Sequence, residues 1–259
     1  MPLDSFRSLV AQGDLCLDPH QEAAAARLDR LARELEAEPM PAASGGGFLA
    51  RLGLARDVAP APEPPKGVYL YGAVGRGKSM LMDLFAAAVH GVRHRRVHFH
   101  EFMLEVQHRL HVLRAAGPHE DPLQVLAADL AKEQRLLCFD EFHVVDIADA
   151  MILGRLFEGL FERGLVMVAT SNWPPDRLYE NGLNRDRFLP FVELLKTKVD
   201  VVALEGPTDY RLERLRDLAV YHHPLGPAAD AALDAAFSAL TDGAVAGPVD
   251  IAVGTPRLH

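Results

Sequence analysis

The stretch Gly67-Val68-Tyr69-Leu70-Tyr71-Gly72-Ala73-Val74-Gly75-Arg76-Gly77-Lys78-Ser79 restricts the folds open to this chain more than any other. A short apolar run enters a glycine-rich turn, Lys-Ser follows, and a helical pattern runs from Met80 to Val89. Gly72-x-x-x-x-Gly77-Lys78-Ser79 meets the phosphate-binding loop pattern at every defined position. Glycines let the backbone fold round an anion with several N–H groups pointing inward. Gly72, Ala73, Val74, Gly75, Arg76, Gly77, Lys78 and Ser79 are therefore all candidate nucleotide contacts. The helix that follows turns its positive end toward the same phosphates. Lys78 is placed to reach the β- and γ-phosphates of ATP, and the Ser79 hydroxyl to ligate Mg2+. A chance Lys-Ser after a glycine turn would lack the strand before it and the helix after it.

Such a loop needs alternating strands and helices around it, and residues 66–206 supply them. Strands are expected at Val68–Tyr71, Val97–His100, Arg135–Phe139, Leu165–Thr170 and Val199–Leu204. Helices are expected at Lys78–Val89, Glu101–Ala115, Pro122–Ala131, Ile147–Arg163 and from about Asp186 to Thr197. This alternation predicts an α/β fold of P-loop type, an αβα sandwich with a parallel sheet and helices on both faces. Phosphate sites then lie at the carboxyl ends of the strands. Residues 1–65 read as an N-terminal helical extension and a connector. The extension has a helix from about His20 to Glu38 after the start signal Asp18-Pro19. The connector is rich in Pro, Ala and Gly, with a short helical piece around Phe48 to Leu54. Residues 207–259 turn helical over Tyr210–Ala219 and Ala228–Leu240 and end in the strand-like Val249–Val253.

Leu136-Leu137-Cys138-Phe139-Asp140-Glu141 supplies the second half of a nucleotide site. An apolar strand ending in an acid, about sixty residues after a phosphate loop, fits a Walker B element. Asp140 is expected to hold Mg2+ through its water shell, and Glu141 to act as general base on the attacking water. The second acid suits hydrolysis rather than phosphoryl transfer to a metabolite, so a small-molecule kinase is the weaker reading. Leu165–Asn172 is a further buried strand with a polar tip, and Asn172 is placed to contact the γ-phosphate or orient the water. A plain helix cap before Pro174-Pro175 is the bland alternative for Asn172. In Asn184-Arg185-Asp186-Arg187-Phe188, an arginine can reach a neighbouring subunit's phosphates as an arginine finger. Arg185 is favoured over Arg187, and the alternative for Arg185 is an ion pair with Asp186 or Glu180.

Lys and Arg number 27 against 36 Asp and Glu, a net charge of −9, which makes the chain a poor generic nucleic-acid binder. Arg93-His94-Arg95-Arg96 is the one short basic run, read as a solvated turn after a helix. His98 and His100 are read as strand residues sharing one face, packing or hydrogen bonding near the nucleotide rather than holding metal. Trp173 is read as a packing residue. Two cysteines, Cys16 and Cys138, do not suggest a disulfide scaffold. No apolar run reaches the length of a transmembrane helix. A cytoplasmic protein is expected, with peripheral attachment the only membrane contact compatible with it.

The motifs together resemble the ZapE-type AAA+ ATPases, bacterial relatives of the mitochondrial lactation-elevated protein. The resemblance rests on Gly72–Asp83, His98-Phe99-His100-Glu101-Phe102-Met103, Phe139–Phe142, Asp146–Ala150 and Ala169–Asn172. It extends to Leu178-Tyr179, Gly182-Leu183, Arg185 with Phe188–Phe191, Asp209-Tyr210-Arg211 and Asp18-Pro19-His20-Gln21. It implies an AAA+ core, MgATP hydrolysis with Asn172 as sensor 1, a homo-oligomer of hexameric-ring type, and action on protein partners. In bacteria that implies cell division and the FtsZ ring; in mitochondria, turnover of inner-membrane proteins. A DNA-associated, helicase-loader-like ATPase shares this core and is the alternative, which the acidic balance disfavours. Family members continue beyond the point where this sequence stops. Residues 207–259 are therefore expected to hold only the first part of a helical lid, with Arg211 and Arg214 on its first helix.

Overall fold

Residues at alternate positions of a strand face opposite sides of a sheet. The apolar strands of this chain exploit that fully, because they are apolar on both sides. In the computed structural model, which describes residues 1–37, 63–117, 121–205 and 226–240, five parallel strands form one sheet. They are β1 (Gly67–Tyr71), β2 (His94–His98), β3 (Leu136–Asp140), β4 (Val166–Ser171) and β5 (Val199–Ala203). Their order across the sheet is β2-β3-β4-β1-β5. Register is set by pairs such as Val68 with Val168 and Cys138 with Val168.

Val68, Leu70, Leu136, Cys138, Val166 and Val168 point to one face. There they pack against α1 (Pro2–Gln12), α2 (Pro19–Ala37) and α3 (Lys78–Ala88), through Phe6, Leu28, Leu31, Leu81 and Phe85. Tyr69, Leu137, Phe139, Met167 and Ala169 point to the other. They meet α4 (Phe99–Ala115), α5 (Pro122–Glu133), α6 (Ile147–Glu162) and α7 (Leu189–Lys198). The αβα sandwich is therefore present, with a separate apolar core on each side. The helical extension belongs to the first core rather than hanging beside it, and Met1–Thr208 is one compact unit. A second unit, Asp209–His259, has one described helix, α8 (Pro227–Leu240). The short helix around Phe48, the first lid helix with Arg211 and Arg214, and the strand Val249–Val253 lie outside the described residues.

Local chemistry places the helix starts. Asp121 accepts from the Leu123 N–H, with Pro122 in the first turn of α5, and Asp146 accepts from the Ala148 N–H at 2.6 Å to open α6. Three elements differ from expectation. The chain passes from β2 at His98 directly into α4 at Phe99, because Phe99, Phe102, Met103 and Val106 have helical spacing and are all buried. His98 and His100 therefore do not share a strand face. Arg95 and Arg96 belong to β2, not to a solvated turn, and both are ion-paired. The helix expected from Asp186 begins only at Leu189. Pro190 lacks an N–H and is tolerated in a first turn, so Arg185–Arg187 stays a separate 3-10 turn.

Phe139 is the hub of the second core. Its ring lies 4.9 Å from that of Phe102 and 5.9 Å from those of Phe99, Phe142 and Phe157. Phe139→Ala should lower unfolding free energy by about 3–5 kcal/mol in a denaturant titration, as a large cavity in a packed core does. A change below about 1 kcal/mol would mean the aromatic cluster collapses into the gap.

Candidate nucleotide site

β1 ends at Tyr71, and the Gly72 N–H donates to the Ser171 carbonyl at 3.2 Å, which fastens the loop to β4. A side chain at Gly72 would place its Cβ 2.5 Å from the Leu204 carbonyl oxygen, so only glycine fits. Gly77 has φ +77° and precedes α3 without any side chain capping it. The first N–H groups of α3 are thus left without a capping side chain, as an anion site requires. Lys78 folds back over the loop. Its Nζ donates to the carbonyls of Gly72 (2.7 Å) and Ala73 (2.8 Å) and to Asn172 Oδ1 (2.9 Å).

That last bond joins two motifs 94 residues apart. It exists because β4 lies between β1 and β3, so the tips of all three strands meet at one edge. Asn172 is not a helix cap; its side-chain oxygen is turned to the lysine. The Ser171 hydroxyl donates to the Phe142 carbonyl and accepts from the Trp173 N–H, which anchors the turn carrying Asn172. Trp173 is 38% exposed, with the Arg177 guanidinium 4.6 Å from its ring centroid, so it is not a core residue.

Asp140 closes β3 and is largely buried. Arg96 grips it from the neighbouring strand. Its Nε donates to Oδ2 at 2.6 Å and its Nη2 to Oδ1 at 3.2 Å, while Nη1 donates to Asp83 on α3. Glu141 is exposed and has φ +55°, a left-handed conformation that costs energy in a residue with a side chain. Its N–H donates to Thr170 Oγ1 at 3.1 Å, and the Phe142 N–H donates to the Thr170 carbonyl at 2.7 Å. Strand β4 therefore holds the backbone of the acid pair in a bent conformation with Glu141 facing solvent. One residue earlier, burial pushes the Cys138 thiol up to about 12, against a smaller opposing pull from Arg96, which leaves it an inert core group.

Arg185 and Arg187 have no hydrogen bond or ion pair with Lys78, Asp140, Glu141 or Asn172. Arg185 pairs with neither Asp186 nor Glu180. Its Nη2 donates to the Asp176 carbonyl at 2.5 Å, and its Nε is buried without a hydrogen-bond partner. Arg187 is exposed; its backbone N–H donates to the Asn184 carbonyl at 3.0 Å, and its guanidinium makes no ion pair or hydrogen bond with a described residue.

Two contacts were not legible as site features. Gln21, at the start of α2, donates from Nε2 to the Arg76 carbonyl at 3.1 Å. A Cβ on Gly77 would lie 2.7 Å from that same nitrogen. The N-terminal extension thus supports the phosphate loop from behind. Arg96 is the other; its only sequence signal was membership of a basic run. Gly77→Ala should disrupt the loop twice over, through positive φ and through Gln21. A loss of ATP affinity of about tenfold or more, with little change in melting temperature, is the expected outcome of a nucleotide titration.

The donor set suits the cofactor that such loops use. Mg2+ keeps several waters and takes one or two protein oxygens, the rest coming from phosphates. The exposed Ser79 hydroxyl and the Asp140 carboxylate are hard oxygen donors of that kind.

A parallel sheet ordered β2-β3-β4-β1-β5, with a phosphate loop after β1, paired acids after β3 and an asparagine after β4, defines a P-loop fold of the AAA+ type. The chain belongs to the AFG1-like ATPase family, whose profile it matches over residues 1–258. It is 40% identical over 244 residues to the cell division protein ZapE of Escherichia coli, covering 93% of this chain and 64% of that protein. It is 47% identical over 188 residues to lactation elevated protein 1 homolog B of Danio rerio, covering 69% of this chain and 37% of that one. The chain therefore spans less than two thirds of the length of these relatives. Domain III of the Thermotoga maritima replication initiation protein DnaA has a similar fold, with a TM-score of 0.51 at 15% identity. That match covers 79% of this chain and 72% of the DnaA domain.

Proposed function

We propose that this chain binds ATP with Mg2+ at Gly72–Ser79 and hydrolyses it. The observation that carries this reading is the bond from Lys78 to Asn172, with the Asp140-Glu141 turn laced to the same strand tip. Loop amides and Lys78 would bind the phosphates, and Ser79 and Asp140 would hold the ion, which draws negative charge from the phosphoryl group. Glu141 would accept the proton of the attacking water, and Asn172 would orient that water. Arg185 of a neighbouring subunit would complete the charge stabilisation, with Arg187 the nearby alternative. Arg187 needs no bond broken to reach out, whereas Arg185 must leave Asp176.

The working form is then a homo-oligomer, a hexameric ring by family resemblance, acting on a protein client in the cytoplasm. The name of the E. coli relative supports a role in cell division, and the FtsZ ring is the client the resemblance implies. No described helix is long and apolar enough to cross a membrane.

Mixing Arg185→Ala subunits with Lys78→Ala subunits tests the shared site. Each variant alone should be inactive, and the mixture should recover part of the ATPase rate, since some interfaces then pair an intact loop with an intact arginine. Absence of recovery would make Arg185 a structural residue. Binding to plain duplex DNA that is tight and weakens steeply with salt would contradict the protein-client reading.

A further inference from the structure

Arg96 is not explained by the roles given so far. It lies on β2, beside Cys138 in the register of β2 with β3, and so reaches the same face as Asp140. Its guanidinium takes both oxygens of Asp140 at 2.6 and 3.2 Å, and its remaining arm takes Asp83. Asp83 stands four residues after Ser79 on α3, on the same side of the helix one turn further along. One side chain therefore ties together the helix that offers the hydroxyl and the strand that offers the carboxylate.

We propose that Arg96 is a positioning residue that makes entry of the divalent cation depend on the nucleotide. The inference rests on the reading of Gly72–Ser79 and Asp140 as an MgATP site. A forked arginine–carboxylate pair is among the stronger charge-assisted contacts, and arginine cannot leave it by losing its proton. Arg96 shares its one charge between Asp140 and Asp83, and its fork occupies both Asp140 oxygens, so Asp140 is a weaker ligand for a bare cation than a lone carboxylate. The phosphates of ATP bring the surplus negative charge that restores the attraction. Each carboxylate oxygen has two lone pairs, so Asp140 can accept from a water of the hydrated ion while still in the fork. Arg96 then stays in place when the site fills, fixing the Asp140 rotamer and the spacing of α3 from β3.

The test uses Mn2+ as the probe, with free ion counted by electron paramagnetic resonance. Nucleotide-free wild-type protein should hold Mn2+ only weakly, and a non-hydrolysable ATP analogue should bring in one ion per chain. Arg96→Met should bind Mn2+ without nucleotide about tenfold tighter than wild type, the effect of removing one fixed charge beside a shared carboxylate. Adding Asp140→Asn to Arg96→Met should abolish that gain. Arg96→Lys, which keeps the charge and loses the fork, should stay within about threefold of wild type.

Nucleotide-free wild type binding Mn2+ as tightly as the nucleotide-bound form would overturn the proposal. So would a folded Arg96→Met that binds Mn2+ no better than wild type. If Arg96→Met does not fold, the two wild-type measurements decide alone. If wild type binds no ATP analogue, the proposed function fails, and the nucleotide-free comparison still reports on Arg96.

Discussion

Lys78→Ala should remove nucleotide binding and hydrolysis together. In the structure the ammonium is already at the loop, held by the Gly72 and Ala73 carbonyls and by Asn172. Incoming phosphate oxygens replace neutral acceptors with charged ones. Hydrogen bonds to charged groups contribute about 1.5–3 kcal/mol each. Losing contacts to two phosphates should therefore weaken ATP binding by about a hundredfold or more. The fold should survive, because the two apolar cores do not include Lys78. A titration with a fluorescent ATP analogue, beside a thermal melt, separates the two effects. Wild-type affinity in a folded Lys78→Ala protein would mean that the nucleotide sits elsewhere.

Glu141→Gln should divide binding from turnover. Glutamine keeps the size of the side chain and removes its ability to take a proton. A positioned general base contributes about 10²–10⁴-fold, so the ATPase rate should fall by that range while ATP affinity holds. The backbone at Glu141 strengthens the assignment. A non-glycine residue at φ +55°, held by Thr170 at the end of a buried strand, carries strain of a kind that gathers at active sites. The substitution leaves that backbone and its Thr170 bond intact, so a lost rate reports on the carboxylate. Unchanged turnover would remove Glu141 from the mechanism, and Asp140 or a water relay would have to supply the base.

Most of the sheet was legible because its signals are local. β1, α3, β3 and β4 each announce themselves by an apolar run and the residues that end it, within one or two positions of the observed bounds. α1 was not legible as a helix, because Phe6, Leu9 and Val10 alone give too short an apolar pattern; α2 and α3 supply the rest of its burial. The phosphate loop, the acid pair and Asn172 could be read as residue types at fixed spacing. What spacing does not carry is the contact made at long range. Gln21 reaches Arg76 across 55 residues, and Arg96 reaches Asp140 across 44. Arg96 looked like solvated charge because a basic run has the same composition whether its partners are water or carboxylates on other elements. The bent backbone at Glu141 was hidden for a related reason: the hydroxyl that holds it belongs to Thr170, on a different strand.

The most direct measurement is a crystal structure of the Glu141→Gln protein with ATP and Mg2+. The triphosphate should lie along Gly72–Ser79 with Lys78 on its β- and γ-oxygens and Asn172 facing the γ-phosphate. The ion should touch the Ser79 hydroxyl, with a bound water donating to Asp140. A nucleotide found elsewhere, or one whose γ-phosphate points away from Asp140, Gln at position 141 and Asn172, would contradict the account.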